Sequence, residues 1–164
     1  MNPVADDLQH AILRCAYTYW QQCGAGDGRP PRTRRLEPEL LRPALGWLAV
    51  AEVCADTGAP AFRLFGSELA WRLSADLTNR PIEALPAPFG PFLGAIFRAC
   101  VAARGPLLVH CAFSDPGADQ ISGLLLPWVD EHGAVVRVLA AVATRDRGMA
   151  GRIPPHSSLI RFRR

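Results

Sequence analysis

Phe62-Arg63-Leu64-Phe65-Gly66-Ser67-Glu68-Leu69, followed by Asp76-Leu77-Thr78, is the stretch on which the fold of this chain turns. A short apolar alternation runs into a glycine and a hydroxyl residue, then opens a helical pattern over residues 67–73 with Ser67 available as N-cap. Before it, residues 47–53 predict a first strand. Asp56-Thr57-Gly58 turns that strand back into a second at residues 62–65. Glu52 and Arg63 mark outward positions on the two strands. Residues 74–91 hold Pro81, Pro86, Pro88 and Gly90 and read as a long loop with one helical turn. Residues 92–103 predict the longest central helix, with Phe92, Ile96, Phe97, Cys100 and Val101 on one face, stopped by Gly105-Pro106. Strands at 107–113, 121–129 and 135–144 follow at hairpin spacing, and Pro127 argues for an edge or a bulge in the second of them. The order β-β-α-α-β-β-β predicts an α+β fold: a five-stranded antiparallel sheet with helices packed on one face.

Outward from that unit, residues 6–22 read as an amphipathic N-terminal helix. Leu8, Ala11, Ile12, Cys15, Ala16 and Tyr19 form its apolar stripe, and Asp6 and Asp7 sit in its first turn. Gly24-Ala25-Gly26-Asp27-Gly28 ends it, and Arg29-Pro30-Pro31-Arg32 forms a stiff basic linker. Glu37 to Arg42 reads as a short helical turn closed by Pro43. The expected organisation is a helix and linker over 1–28, a domain over 29–146 and a basic tail over 147–164.

With 164 residues, 49% of them hydrophobic, the chain suffices for one core. No apolar run reaches the ~18 residues of a membrane span. The opening residues lack the pattern of a secretory signal, so a cytoplasmic location is expected. All 18 basic residues are arginine, and the net charge is +3. From residue 145 onward, six arginines face one aspartate. Such a tail supplies phosphate contacts but no reading element, which weighs against nucleic acid as partner. Cys15, Cys23, Cys54, Cys100 and Cys111 contain no C-x-x-C pair, so neither a zinc site nor a disulfide framework is expected, and each thiol is read first as a small buried hydrophobe.

The parts resemble the stand-alone PAS-domain family typical of alphaproteobacteria, whose members read roughly F-R-Y-R-L-x-G-T-x-L, then D-L-T-G, then L-P-L. Here those places hold residues 62–69, Asp76-Leu77-Thr78-Asn79 and Leu124-Leu125-Leu126-Pro127. Arg34-Arg35-Leu36-Glu37-Pro38 stands where the family commonly has P-R-R-x-D-I-D-P, and Tyr19-Trp20 and Pro31-Arg32 resemble its opening. The likeness covers residues 34–146, about two-thirds of the chain. Ser67 replaces the usual Thr and keeps the hydroxyl. Asn79 replaces a Gly and tolerates the left-handed backbone better than most residues. The resemblance implies a PAS-like sheet and a cytoplasmic, non-enzymatic sensory or adaptor role, with a small-molecule or signalling-protein input.

Candidate residues divide by face. Phe62, Leu64, Trp71, Phe97, Val109 and Cys111 are candidates for a ligand pocket between helices and sheet; the competing reading is that the aromatics simply fill the core. Leu8, Ile12, Cys15 and Tyr19 on the helix, with Leu108, His110, Leu124 and Leu126 on the outer sheet face, are candidates for a homodimer or partner surface. Pro127 leaves both facings open for Trp128. Alternation puts His110 away from the pocket, which weighs against haem, and no cysteine lies in an N-C-R-F-L-Q-like segment, which weighs against a flavin photosensor. No cofactor is required. Arg63, Arg72 and Arg80 are candidates for meeting an anion, although each is ordinary as a solvated residue. The sequence carries no nucleophile elbow, P-loop or H-E-x-x-H motif. Besides a sensor, a pure interaction module with a filled core remains a reading. A small enzyme using His110 or Cys111 would need carboxylates beside them.

Overall fold

The computed structural model describes residue 8 and residues 10–26, 28–111 and 120–145. Asp6, Asp7, Phe113 and the basic tail lie outside the described residues. Helix α1 spans Ala11–Gln22, followed by a 3-10 segment Pro38–Trp47 and strands β1 (Leu48–Val53) and β2 (Pro60–Phe65). Helix α2 (Ser67–Leu73), a 3-10 turn Ile82–Ala84 and helix α3 (Phe89–Ala103) lead to β3 (Leu107–Cys111), β4 (Gln120–Val129) and β5 (Val135–Arg145). The strands form one antiparallel sheet in the order β2-β1-β5-β4-β3. The α+β architecture expected from the sequence is the one observed, and its element bounds differ mainly at helix starts. Helix α3 begins three residues earlier than expected because Pro91 fits a first helical turn, where its missing N–H costs no bond.

Each face of the sheet has its own core. On the inner face, Phe62, Leu69, Ile82, Ile96, Phe97 and Val138 belong to one buried cluster. On the outer face, Leu13, Ala16, Tyr17 and Trp20 of α1 are buried with Leu48, Leu124, Leu126, Trp128 and Leu139 of the sheet. Layers of helix therefore lie on both sides of the strands.

Two irregularities position the functional residues. Val50 pairs with Leu64 but Ala51 pairs with Phe62, so Arg63 is an extra residue in β2. This bulge breaks the alternation and turns Leu64 onto the same side as Val50. In β4, the Pro127 side chain is fully buried in a strand that has neighbours on both sides. It is tolerated because β3 pairs only as far as Leu125, leaving that edge of β4 free of a strand at Pro127. The N-terminal segment takes the edge over. Trp20 Nε1 donates to the Pro127 carbonyl at 2.8 Å, Val129 N donates to Pro31 O at 3.0 Å, and Thr33 N donates to Val129 O at 2.7 Å.

The β2–α2 turn is set by close packing. Gly66, not Ser67, is the N-cap of α2, and no side chain caps it. A Cβ on Gly66 would collide with the carbonyls of Gly46 and Leu45. The glycine is thus required by the 3-10 segment crossing over it. Downstream, Asp76 Oδ1 accepts from Thr78 N at 2.9 Å and Thr78 Oγ1 at 2.6 Å, and Asn79 takes the left-handed conformation at φ 61°. Asn79 N then donates to Phe62 O and Phe62 N to Arg80 O, which covers the outer edge of β2.

Candidate functional site

The inner face holds the space where a pocket was expected. Phe62, Phe97 and Val109 point into it and are buried. Phe62 meets Phe97 edge-on at 5.8 Å between ring centres and Phe65 at 5.1 Å. Cys111 is half-buried at its margin, and burial pushes its thiol pKa above the ordinary range. Cys100 is deeper, and burial pushes it up to about 12 while its sulfur contacts Gly105 O at 3.7 Å. Desolvated thiols with raised pKa values are poor nucleophiles.

Two expected pocket residues lie elsewhere. Leu64 is 40% exposed on the outer side, because the Arg63 bulge reversed its facing. Trp71 is 51% exposed. Helix α2 is only seven residues long and turns Leu69, Arg72 and Leu73 inward, so Trp71 falls on the opposite side. The aromatic that flanks this end of the inner core is Trp47, with the Arg72 guanidinium 4.8 Å above its ring.

Most of the residues expected at a homodimer or partner surface lie instead in the chain's own outer core. Leu8, Tyr19, Leu124 and Leu126 are buried there, with Ile12, Cys15 and Leu108 partly buried around them. Trp128, whose facing the sequence left open, belongs to this core, 6.5 Å from the Tyr19 ring. Tyr19 OH accepts the backbone N–H of Glu37 at 2.9 Å, and burial raises its phenol pKa. His110 is exposed on this side, its Nδ1 3.0 Å from Ser122 Oγ. Sequence reasoning missed Leu13, Tyr17 and Trp20. Trp20 and Tyr17 stack at 5.8 Å, and both face the sheet. The expected stripe was set about a quarter-turn round from the buried one, since α1 is apolar over much of its circumference. Residue size would have chosen correctly, because the largest side chains gain most from burial.

Beside this core an open groove of about 280 Å³ lies over β1, β2 and β5. Arg35, Arg63 and Arg137 line it around Glu52, with Leu36, Val50 and Leu64 as its apolar part. Glu52 accepts from Arg63 Nε at 2.9 Å and from Arg137 at 3.4 Å. Arg137 also donates to Arg34 O at 2.9 Å, and its buried Nε has no acceptor among the described residues. Of the other expected anion-meeting residues, Arg72 is buried over Trp47 and Arg80 is exposed away from this groove. The cysteines also divide: Cys54 is exposed in the β1–β2 turn, against the expectation that each thiol is buried.

Solved structures similar to this chain include a light-oxygen-voltage domain studied with a flavin analogue, at 12% identity and TM-score 0.48 over 66% of this chain and 84% of that one. The dark structure of the blue-light photoreceptor Aureochrome1 LOV matches at 13% identity and TM-score 0.47, over 70% and 90%. An RNA-binding light-oxygen-voltage receptor matches at 17% and 0.44, over 73% of this chain and 36% of that chain. No curated protein matches. The family model described as PAS domain matches residues 8–143, from the start of the helical cover to the last strand, and the chain belongs to the PAS domain family.

Proposed function

We propose that this chain is a non-enzymatic PAS sensory or adaptor module whose output is the packing of α1 on the sheet, and that it works as a homodimer. The observation that carries this reading is the second apolar core: much of one sheet face is covered by α1 together with the 3-10 segment, and a Gly- and Pro-rich linker joins α1 to the strands. Displacing α1 would uncover Leu124, Leu126 and Trp128, so packed and displaced states differ in a large apolar surface. An input moves such an equilibrium only through different affinity for the two states. The contacting rings of Phe62, Phe65 and Phe97 favour partner-dependent input over a ligand held in the inner core. A homodimer is supported by the apolar strip where α1 meets the 3-10 segment. Ile12 and Cys15 are half-buried there, the Cys15 sulfur lies 3.7 Å from Leu40 O, and Leu40 is 50% exposed. The proposal places the protein in the cytoplasm, whose reducing conditions suit five free cysteines. Among the described residues no helix is long and apolar enough to cross a membrane.

Native mass spectrometry with an absorbance scan of the same sample tests both parts. The expected result is a dimer with no added mass and no visible chromophore. The double variant Ile12→Asp, Leu40→Asp should be a folded monomer by circular dichroism. A dimer surviving that change sinks the proposed arrangement, and a bound chromophore sinks the filled-core reading. Leu8 is unsuited to this test, because its burial within the chain makes Leu8→Asp a folding mutation.

A further inference from the structure

We infer that the groove over β1, β2 and β5 is a docking site for an acidic, apolar peptide segment of a partner protein. The inference rests on the adaptor reading above and names the chemistry of the partner. Three arginines, Arg35, Arg63 and Arg137, line the groove with one carboxylate, Glu52, so the groove is positive by two charges. Arg35 has no ion pair among the described residues, and Glu52 divides its two oxygens between Arg63 and Arg137. An incoming carboxylate therefore finds guanidinium donors on Arg35 and Arg63 that no described residue occupies, with forked geometry that suits carboxylates.

The other half of the recognition is apolar. Leu64 is 40% exposed although it is a large hydrophobic side chain, and Val50 and Leu36 lie beside it. The bulge places Arg63 and Leu64 on the same side, next to each other in sequence, where regular alternation would have put them on opposite faces. A basic and an apolar contact one residue apart match a peptide with an acidic residue beside an aliphatic one. At about 280 Å³ and open to solvent, the groove fits a pair of side chains better than it encloses a whole small ligand, for which pockets of ~300–1,000 Å³ that bury most of the surface are usual. Charge complementarity and this shape together select the peptide.

The test selects dodecapeptides from a random phage-displayed library on the full chain, then measures the enriched peptides by fluorescence anisotropy. Enrichment of Asp or Glu next to Leu, Ile or Val is expected. Binding should weaken at least tenfold in the Arg35→Glu, Arg63→Glu variant and fall as salt rises. Glu52→Gln, which removes the resident competitor, should tighten the same peptides severalfold. All these side chains are partly exposed at least, and circular dichroism melting confirms that each variant folds. No enrichment, enrichment of non-acidic peptides, or equal binding by the double variant overturns the inference. Hexanoate shifting the Leu64 and Val50 methyl resonances with no peptide enriched makes this a small-carboxylate site and overturns it too. Self-association lost in the double variant assigns the groove to a second copy, with the same consequence. The adaptor reading fails separately, by a chromophore or added mass in the native spectrum.

Discussion

Gly66 shows what a single position can require. Its φ of −64° is open to any residue, so the left-handed argument for glycine does not apply. What excludes a side chain is the backbone of Leu45 and Gly46 lying directly over its α-carbon. Backbone cannot retreat as a flexible side chain can, so Gly66→Ala should lower stability by about 1–3 kcal/mol, the usual range for overpacking. Urea unfolding checks this, and an unchanged midpoint would show that the crossing segment moves aside freely. The glycine was visible in the sequence as a strand-to-helix punctuation mark; the segment that presses on it was not. Asn79 is the opposite case. Its left-handed conformation was legible from the resemblance, which puts Asn79 where the family has Gly, together with the tolerance of Asn for that backbone.

At the scale of elements, α1 carries most of the meaning. Trp20 is buried against the outer sheet face and also supplies an N–H to a carbonyl that no strand reaches. Trp20→Ala should cost about 3–5 kcal/mol for the cavity it leaves in a large aromatic site. Trp20→Phe keeps most of the volume but leaves the Pro127 carbonyl without its donor, a loss of about 1–3 kcal/mol. Differential scanning calorimetry of both variants separates packing from hydrogen bonding; equal losses would mean that the hydrogen bond dominates. The helix itself was readable from its periodicity, but its facing was not. A sequence with apolar residues on more than one side permits several stripes, and only the shape of the opposing sheet selects one. Strand β2 taught the same lesson through its bulge, which no local pattern around Arg63 announces. Leu64 was therefore assigned to the wrong face, while Phe62, before the bulge, was assigned correctly.

Across the whole molecule, two cores share one sheet, and the cysteines sample its depth. Cys54 is exposed in a turn where the Thr57 hydroxyl, with the backbone of Thr57 and Asp56, holds its thiol below the ordinary pKa. Cys111 and Cys15 are raised by burial, and Cys100 reaches about 12. A lower pKa means more thiolate at a given pH, so iodoacetamide at pH 8 should modify Cys54 first and Cys100 last. Peptide mass spectrometry over a time course checks the order, and early loss of Cys100 would show that the inner core opens on that timescale.

The sequence by itself determined the number and order of the strands, the helical elements between them, the glycine and proline positions that end them, and the family resemblance. These depend on neighbours along the chain, where periodicity and backbone preference act directly. The tertiary structure alone decided which side of α1 is buried, that Trp128 and Leu64 face outward, that Trp47 rather than Trp71 joins the inner core, and that Arg63 and Arg137 meet Glu52 in a groove that Arg35 also lines. Those facts depend on register between strands and on which surfaces meet. A one-residue bulge or a quarter-turn of a helix reverses them while leaving the sequence pattern almost unchanged.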